Sequence, residues 1–193
     1  MARKRVAILI SGRGSNMSAL INAAKAPDYP AEIVLVLSSR TDAAGLARAQ
    51  AAGVPAAIVE ARARPDRAAF EAVVEQRLAE ARVELIALAG FMRILSPAFV
   101  TRWHNRLINI HPSLLPAFPG LDTHARALAT GAKRHGCTVH FVTEGVDEGP
   151  IIAQAEVPIR PGDTAESLGD RVLTAEHALY PQALAMVASG RVS

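Results

Sequence analysis

Apolar positions along the chain fall into short β-branched runs, separated by longer stretches whose apolar residues recur at helical spacing. Arg5 to Ser11 is one such run without alternation, the pattern of a strand buried on both faces. After a glycine turn, Met17, Ala19, Leu20, Ile21 and Ala24 mark one face of a helix. Ile33 to Leu37 reads as a second strand. Thr41 and Asp42 are expected to start a helix that stops near Gly53. Ala56 to Val59 is a short third strand. Pro65 to Ala81 is a polar-faced helix with Phe70, Val73, Val74 and Leu78 inward. Leu85 to Ala89 is a fourth strand and leaves as the loop Gly90–Leu95. Ser96 caps a short helix with Pro97 at its first position. Arg106 to Ile110 is the fifth strand.

Strand and helix alternating in this way predict an open, mostly parallel α/β sheet of Rossmann-like form, with helices on both faces. After Pro119-Gly120 the pattern changes. Asp122 to Thr130 reads as a helix. Cys137 to Thr143 and Ile151 to Ile159 read as strands joined by the short segment Glu144–Pro150, hence as antiparallel neighbours at the C-terminal side of the sheet. Thr164 to Ser189 is helical by the spacing of Leu168, Val172, Leu173 and Leu179, with Pro181 expected to kink or split it.

The length of 193 residues suits one domain, residues 1–193. The net charge of +3 is spread without a basic patch, and aromatics make up only 4% of the chain. Neither feature suits a nucleic-acid partner. The single cysteine, Cys137, excludes an internal disulfide framework and reads as a small core residue. The basic start Met1–Arg5 is followed by only Val6 to Ile10 as an apolar run. That is too short for a secretion signal or a membrane span, so a cytoplasmic setting is expected.

Chemistry concentrates in three places. In Leu107–Pro116, Asn109 and His111 stand two residues apart, so an extended segment puts them on one face. Pro112 is expected to end the strand there. An amide donor beside an imidazole at a strand end suits stabilisation of an oxyanion. The plain alternative is a core strand followed by a turn. The turn Ser11–Asn16, with Gly12 and Gly14, joins a strand to a helix N-terminus, the layout that binds phosphate. Ser15 and Asn16 add side-chain donors; otherwise Ser15 simply caps the helix. Met17 stands where a dinucleotide fingerprint has its third glycine, and no Gly-Lys-Ser/Thr follows. Among Glu144, Asp147 and Glu148, Asp147 is the best partner for His111. His104, His135, His140 and His177 rank lower, with His140 facing either core or site. No set has metal-ligand spacing, so no metal is expected. Ligand sites in such sheets lie beyond the carboxyl ends of the strands, so the glycine turn, the Gly90–Leu95 loop and the His111 loop should converge.

With these motifs assembled, the chain resembles the phosphoribosylglycinamide formyltransferase family, the folate-dependent formyltransferases of purine synthesis. The resemblance is carried by ISGRGSN at Ile10–Asn16, LAGFMRILSPAFV at Leu88–Val100, NIHPSLLPAFPG at Asn109–Gly120, VHFVTEGVDEGPII at Val139–Ile152 and EHALYP at Glu176–Pro181. It implies transfer of the formyl group of 10-formyltetrahydrofolate, a co-substrate, to the amine of glycinamide ribonucleotide. Asn109, His111 and Asp147 would be catalytic. Asn109 and protonated His111 would donate to the tetrahedral oxyanion, while Asp147 favours the protonated His111 and helps relay the proton. Gly14, Ser15, Asn16 and Glu176 would hold the phosphoribosyl group. Arg67, Met92, Arg93, Ile94 and Leu95 would contact folate, the loop largely through its backbone. Thr143, Glu144, Gly145, Val146 and Asp147 would line the pterin pocket beside Asn109.

On this resemblance, residues 1–110 form a phosphosugar-binding half and residues 111–193 a folate-binding and catalytic half. The protein would be a monomer or homodimer. Ala117 stands where many members carry a basic residue, and the chain ends at Ser193, shorter than some relatives. Formyltetrahydrofolate hydrolase is similar but carries an extra N-terminal domain, for which the first strand at Arg5 is expected to leave no room. Methionyl-tRNA formyltransferase is similar but has a C-terminal RNA-binding domain. From the residues alone, an NADP-dependent oxidoreductase remains open, because Ser38-Ser39-Arg40 after the second strand would suit a 2′-phosphate. A phosphosugar-binding regulator accounts for Gly14–Asn16 but not for Asn109, His111 and Asp147.

Overall fold

The computed structural model describes residues 2–192. Met1, where the basic start begins, and Ser193, where the chain ends, lie outside the described residues. Seven strands form one sheet: β1 Lys4–Ile10, β2 Ala31–Ser38, β3 Ala56–Ile58, β4 Leu85–Leu88, β5 Leu107–His111, β6 Arg134–Phe141 and β7 Ile151–Pro158. Their order is β3-β2-β1-β4-β5-β6-β7. The first five run parallel; β6 is antiparallel to both β5 and β7. The sheet is therefore open and mostly parallel with an antiparallel C-terminal portion, as the pattern predicts.

The helices are α1 Ser15–Ala23, α2 Gly45–Ala51, α3 Arg67–Glu80, α4 Pro97–Arg102, α5 Thr123–Ala129 and α6 Ala165–Ala188. Strand β1 shows why both sheet faces are covered. Val6, Ile8 and Ile10 pack with α1 and α6 through Met17, Leu20, Leu168 and Leu184. Ala7 and Leu9 pack with α3 and α4 through Phe70, Val74, Leu78 and Phe99. Truncating a buried side chain such as Ile8 to Ala costs about 2–5 kcal/mol.

Four local expectations need correction. Helix α2 starts at Gly45, not at Thr41 and Asp42. Asp42 instead clamps Arg40, and Gly45 packs where a Cβ would lie 2.5 Å from Ile10 Cδ1. Ser15 is the first residue of α1 rather than its cap; Gly14 holds the cap position with φ 73° and no side-chain bond. Pro181 does not split α6, which runs unbroken. Leu179, Tyr180, Ala183 and Leu184 are buried along it, and this tertiary packing outweighs the local loss. Strand β6 begins at Arg134, so His135 lies within it and is buried.

Strand order reverses between β1 and β4, which places a crevice beyond their carboxyl ends. Hydrogen bonds join the segments leaving these strands. The Ser11 N–H donates to the Gly90 carbonyl at 3.1 Å, and the Met92 N–H donates to Ser11 Oγ at 2.8 Å. No helix among the described residues is long and apolar enough to cross a membrane.

Candidate active site

Strand β5 carries Leu107, Asn109 and His111 on one face, with Ile108 and Ile110 in the core of the other. It ends at His111, directly before Pro112 as expected, and runs one residue beyond the Ile110 limit read from the pattern, because His111 still pairs with Thr138 of β6. The same register sets His140 directly opposite Asn109. His140 Nδ1–H donates to the Phe141 carbonyl at 2.9 Å, which turns Nε2 toward Asn109 Nδ2 at 3.2 Å and Asp147 Oδ1 at 3.6 Å. As a neutral ring, His140 accepts from the Asn109 amide and leaves that amide one free N–H.

His111 is 5% exposed. Its Nδ1 faces Asp147 Oδ2 at 3.2 Å and its Nε2 faces the Phe118 carbonyl at 3.0 Å. Both partners only accept, so a ring protonated on both nitrogens is the form that donates in both directions. Asp147 is held in a left-handed turn with φ 57°, and Gly120 N–H donates to its Oδ2 at 2.9 Å. Burial works to raise the Asp147 carboxyl. The nearby His140 ring, the hydrogen bond donated by Gly120 N–H and the charge of His111 outweigh it, so the group sits below the ordinary carboxylate range. Of the three acids in this turn, Glu144 and Glu148 are exposed and Asp147 alone meets the histidines.

The glycine turn lies along the same edge. A Cβ on Gly14 would meet Gly45 Cα at 2.8 Å, so the turn packs backbone against backbone. With no side-chain cap, the first N–H groups of α1 are free for an anion. The Asn16 amide does not wait for that anion. Its Nδ2 donates to Glu176 Oε2 at 2.7 Å, while Oδ1 is buried without a partner. Burial pushes the Glu176 carboxyl up, and the bond from Asn16 partly offsets this.

The loop Met92–Leu95 is pinned at both ends. Met92 N–H holds Ser11; Ser96, just beyond Leu95, gives its N–H to Glu71 Oε1 at 2.6 Å and its hydroxyl to Glu71 Oε2. Between these anchors Met92 and Ile94 are 68% and 70% exposed. Arg93 is exposed, as is Arg67 at the start of α3; among the described residues no hydrogen bond or ion pair joins Arg67 to the loop. Thr143, Gly145 and Val146 lie in the β6–β7 connection that carries Asp147. Among the described residues no group of three or more His, Cys, Asp or Glu is placed to hold a metal ion.

A formyl transferase family profile matches residues 4–184. The chain belongs to the formyl transferase family. It is 45% identical over 187 residues to the phosphoribosylglycinamide formyltransferase of Escherichia coli (strain K12), covering 97% of this chain and 88% of that one. It is also 54% identical over 190 residues to the trifunctional purine biosynthetic protein adenosine-3 of Drosophila pseudoobscura pseudoobscura, covering 97% of this chain but only 14% of that much longer protein. Among solved structures, the phosphoribosylglycinamide formyltransferase from Brucella melitensis superposes with a TM-score of 0.94 at 54% identity, covering 99% of this chain and 98% of that one.

Two features of this formyl transferase were not assigned by sequence reading. His140 belongs to the polar cluster, and its signal was the alternation Thr138, His140 on a strand opposite Asn109, readable only once β6 is known to pair with β5. Glu71 anchors the loop through Ser96, but in sequence it looks like one more charge on a helix. Cys137 is fully buried in the opposite core, and burial pushes its thiol up to about 12. It is a core residue, not a nucleophile.

Proposed function

We propose that the protein is a cytoplasmic enzyme that transfers the formyl group of 10-formyltetrahydrofolate to the amine of glycinamide ribonucleotide. The observation that carries this reading is the convergence of Asn109, His111 and Asp147 at the end of β5 beside the crevice. The names of the relatives just given support the choice of substrates. A single domain serves both substrates. Residues 1–110 supply most of the phosphosugar grip through Gly14, Ser15 and Asn16, and residues 111–193 supply the catalytic group and most of the pterin pocket. Glu176 crosses that division through its bond with Asn16.

The ribonucleotide phosphate sits on the uncapped start of α1, with Glu176 on the sugar side. The donor lies along Met92–Leu95, with its pterin against Thr143–Asp147 and its outer end toward Arg67. The amine attacks the formyl carbon, and the carbonyl π electrons move onto oxygen. The free Asn109 N–H and His111 Nε2–H donate to that oxyanion. His111 releases the Phe118 carbonyl to do so, because a charged acceptor holds the N–H more strongly than a neutral one. Asp147 keeps the imidazolium oriented and helps carry a proton from the attacking amine to the departing nitrogen of the folate. Collapse of the intermediate leaves the formamide and tetrahydrofolate.

The test is to follow loss of the formyl group with and without glycinamide ribonucleotide. Turnover that requires the ribonucleotide is expected. Equal turnover in its absence identifies a hydrolase instead, and no turnover in either case defeats the reading.

A further inference from the structure

Helix α6 reaches two parts of the site. Glu176 meets Asn16 of the glycine turn at 2.7 Å. Tyr180 stands four residues further on, one turn along the same face of the helix. Its side chain is fully buried, in the core that holds Ala87, Ala89 and Ile108. Its hydroxyl donates to the Leu88 carbonyl at 2.8 Å and lies 3.4 Å from the Ile108 carbonyl. Nothing in the proposed reaction uses this hydroxyl.

Those two carbonyls mark the place where the sheet divides. Strands β4 and β5 pair as far as Leu88 and Asn109. Beyond that point the chain leaving β4 stays with β1, because Ala89 N–H donates to the Leu9 carbonyl at 3.0 Å and Gly90 accepts from Ser11. Strand β5 stays with β6, where His111 pairs with Thr138. The Tyr180 hydroxyl sits in the fork, between the last residue of β4 and the residue before Asn109. The Ile108 carbonyl belongs to the peptide whose nitrogen is that of Asn109, so a shift there carries directly to the Asn109 side chain. Burial first, then Tyr29 and Glu176, pushes the phenol well above its ordinary range, so the hydroxyl stays a neutral donor.

We propose that Tyr180 is a positioning residue for formyl transfer: its hydroxyl pins the fork between β4 and β5 and so fixes where the Asn109 amide meets the oxyanion. The inference rests on the reading of Asn109 as an oxyanion donor. Tyr180 touches no reacting atom and acts through the backbone. Glu176 on the same helix face steadies the phosphosugar turn, so α6 gauges the distance between the bound amine and the Asn109 amide. A displacement of about 1 Å at such a point costs on the order of 10²-fold in rate, whereas a hydroxyl lost from an ordinary core position costs only stability.

The experiment measures kcat, KM for both substrates and the thermal unfolding midpoint. It uses the native protein, Tyr180→Phe, Tyr29→Phe, Asn109→Ala and the double variant Asn109→Ala with Tyr180→Phe. Phe keeps the packed ring and removes only the hydroxyl. Tyr29 is the control, since its hydroxyl donates to the Pro181 carbonyl at 2.7 Å on the same helix but away from the fork. Tyr180→Phe is expected to lower kcat roughly 5–30-fold while each KM stays within about two-fold. Tyr29→Phe is expected to lower the unfolding midpoint and leave kcat unchanged. In the Asn109→Ala background, Tyr180→Phe should change kcat by less than about two-fold, because the group it positions is already gone. Losses that multiply in the double variant overturn the proposal, as does native kcat in Tyr180→Phe. An equal fall of kcat in Tyr29→Phe overturns it too, by showing a general loosening of α6. A change confined to KM for the formyl donor assigns the hydroxyl to the loop after β4 and overturns its role at Asn109. Native activity in Asn109→Ala defeats the oxyanion reading of Asn109 and the positioning role together.

Discussion

Around His111 the polar side chains are buried and hold one another; on the neighbouring rim Arg93 is exposed and makes no hydrogen bond or ion pair among the described residues. His111, Asp147, His140 and Asn109 form a chain of contacts between 3.2 and 3.6 Å, set by the register of two paired strands and one left-handed turn. The rim beside them has only its two ends tied, by Ser11 and Glu71, while Met92, Arg93 and Ile94 stand in solvent. The difference follows from what each region has to do. A group that stabilises charge in a transition state acts best when oriented in advance, because no reorganisation is then needed at the moment of reaction. A surface that closes on an incoming ligand must leave its donors and apolar faces unsatisfied until the ligand arrives.

Breaking the prearranged region gives the largest effect. His111→Ala is expected to lower kcat about 10²–10³-fold with little change in KM, since it removes a donor used in the transition state. Asp147→Asn keeps the shape but takes away the charge that matches the imidazolium, and a loss of similar size is expected. Steady-state formyl transfer measures both, and a change confined to KM would refute the assignment.

A stability measurement sharpens the comparison from beneath the site. His135 is buried against His124, Nε2 to Nδ1 at 3.1 Å, with Phe118 edge-on. Burial, then the charges of His124 and His111, hold it down to about 4 from an ordinary 6.5. Above pH 6.5 the folded and unfolded chains both carry this ring neutral, and its contribution is intact. As the pH falls from 6.5 toward 4, the unfolded chain takes up a proton that folded His135 refuses, so stability declines by on the order of 1–3 kcal/mol. Urea denaturation across that range measures the slope, and His135→Gln should flatten it.

The smallest effect is expected at the rim. Ile94→Ala should raise KM for the formyl donor a few-fold and leave the unfolding midpoint almost unmoved, because an exposed side chain contributes about 0.5 kcal/mol or less to stability. A clear fall in thermal stability would show that the loop is packed rather than waiting.

Periodicity and chain order were enough for the layers of the fold. Strands buried on both faces have continuous apolar runs, and their alternation with helices leaves few topologies open. The corrected details share one cause. Pro181 inside α6 and the start of α2 at Gly45 are decided by long-range packing, which local preference does not register.

Within the site, the pairing of Asn109 with His111 follows from spacing alone, because a strand repeats every two residues and leaves no choice of face. The positive φ at Gly14 is equally local, since glycine is the residue that tolerates it, whereas the close approach of Gly14 to Gly45 is set by packing. What tertiary structure alone decided is which distant groups meet them. Asp147 instead of Glu144 or Glu148, His140 opposite Asn109, Glu176 on Asn16 and Glu71 beneath Ser96 all depend on strand register and helix docking. Those contacts are made between residues 25 to 160 positions apart. No periodicity records such a separation, since it is chosen by how the apolar faces close on one another.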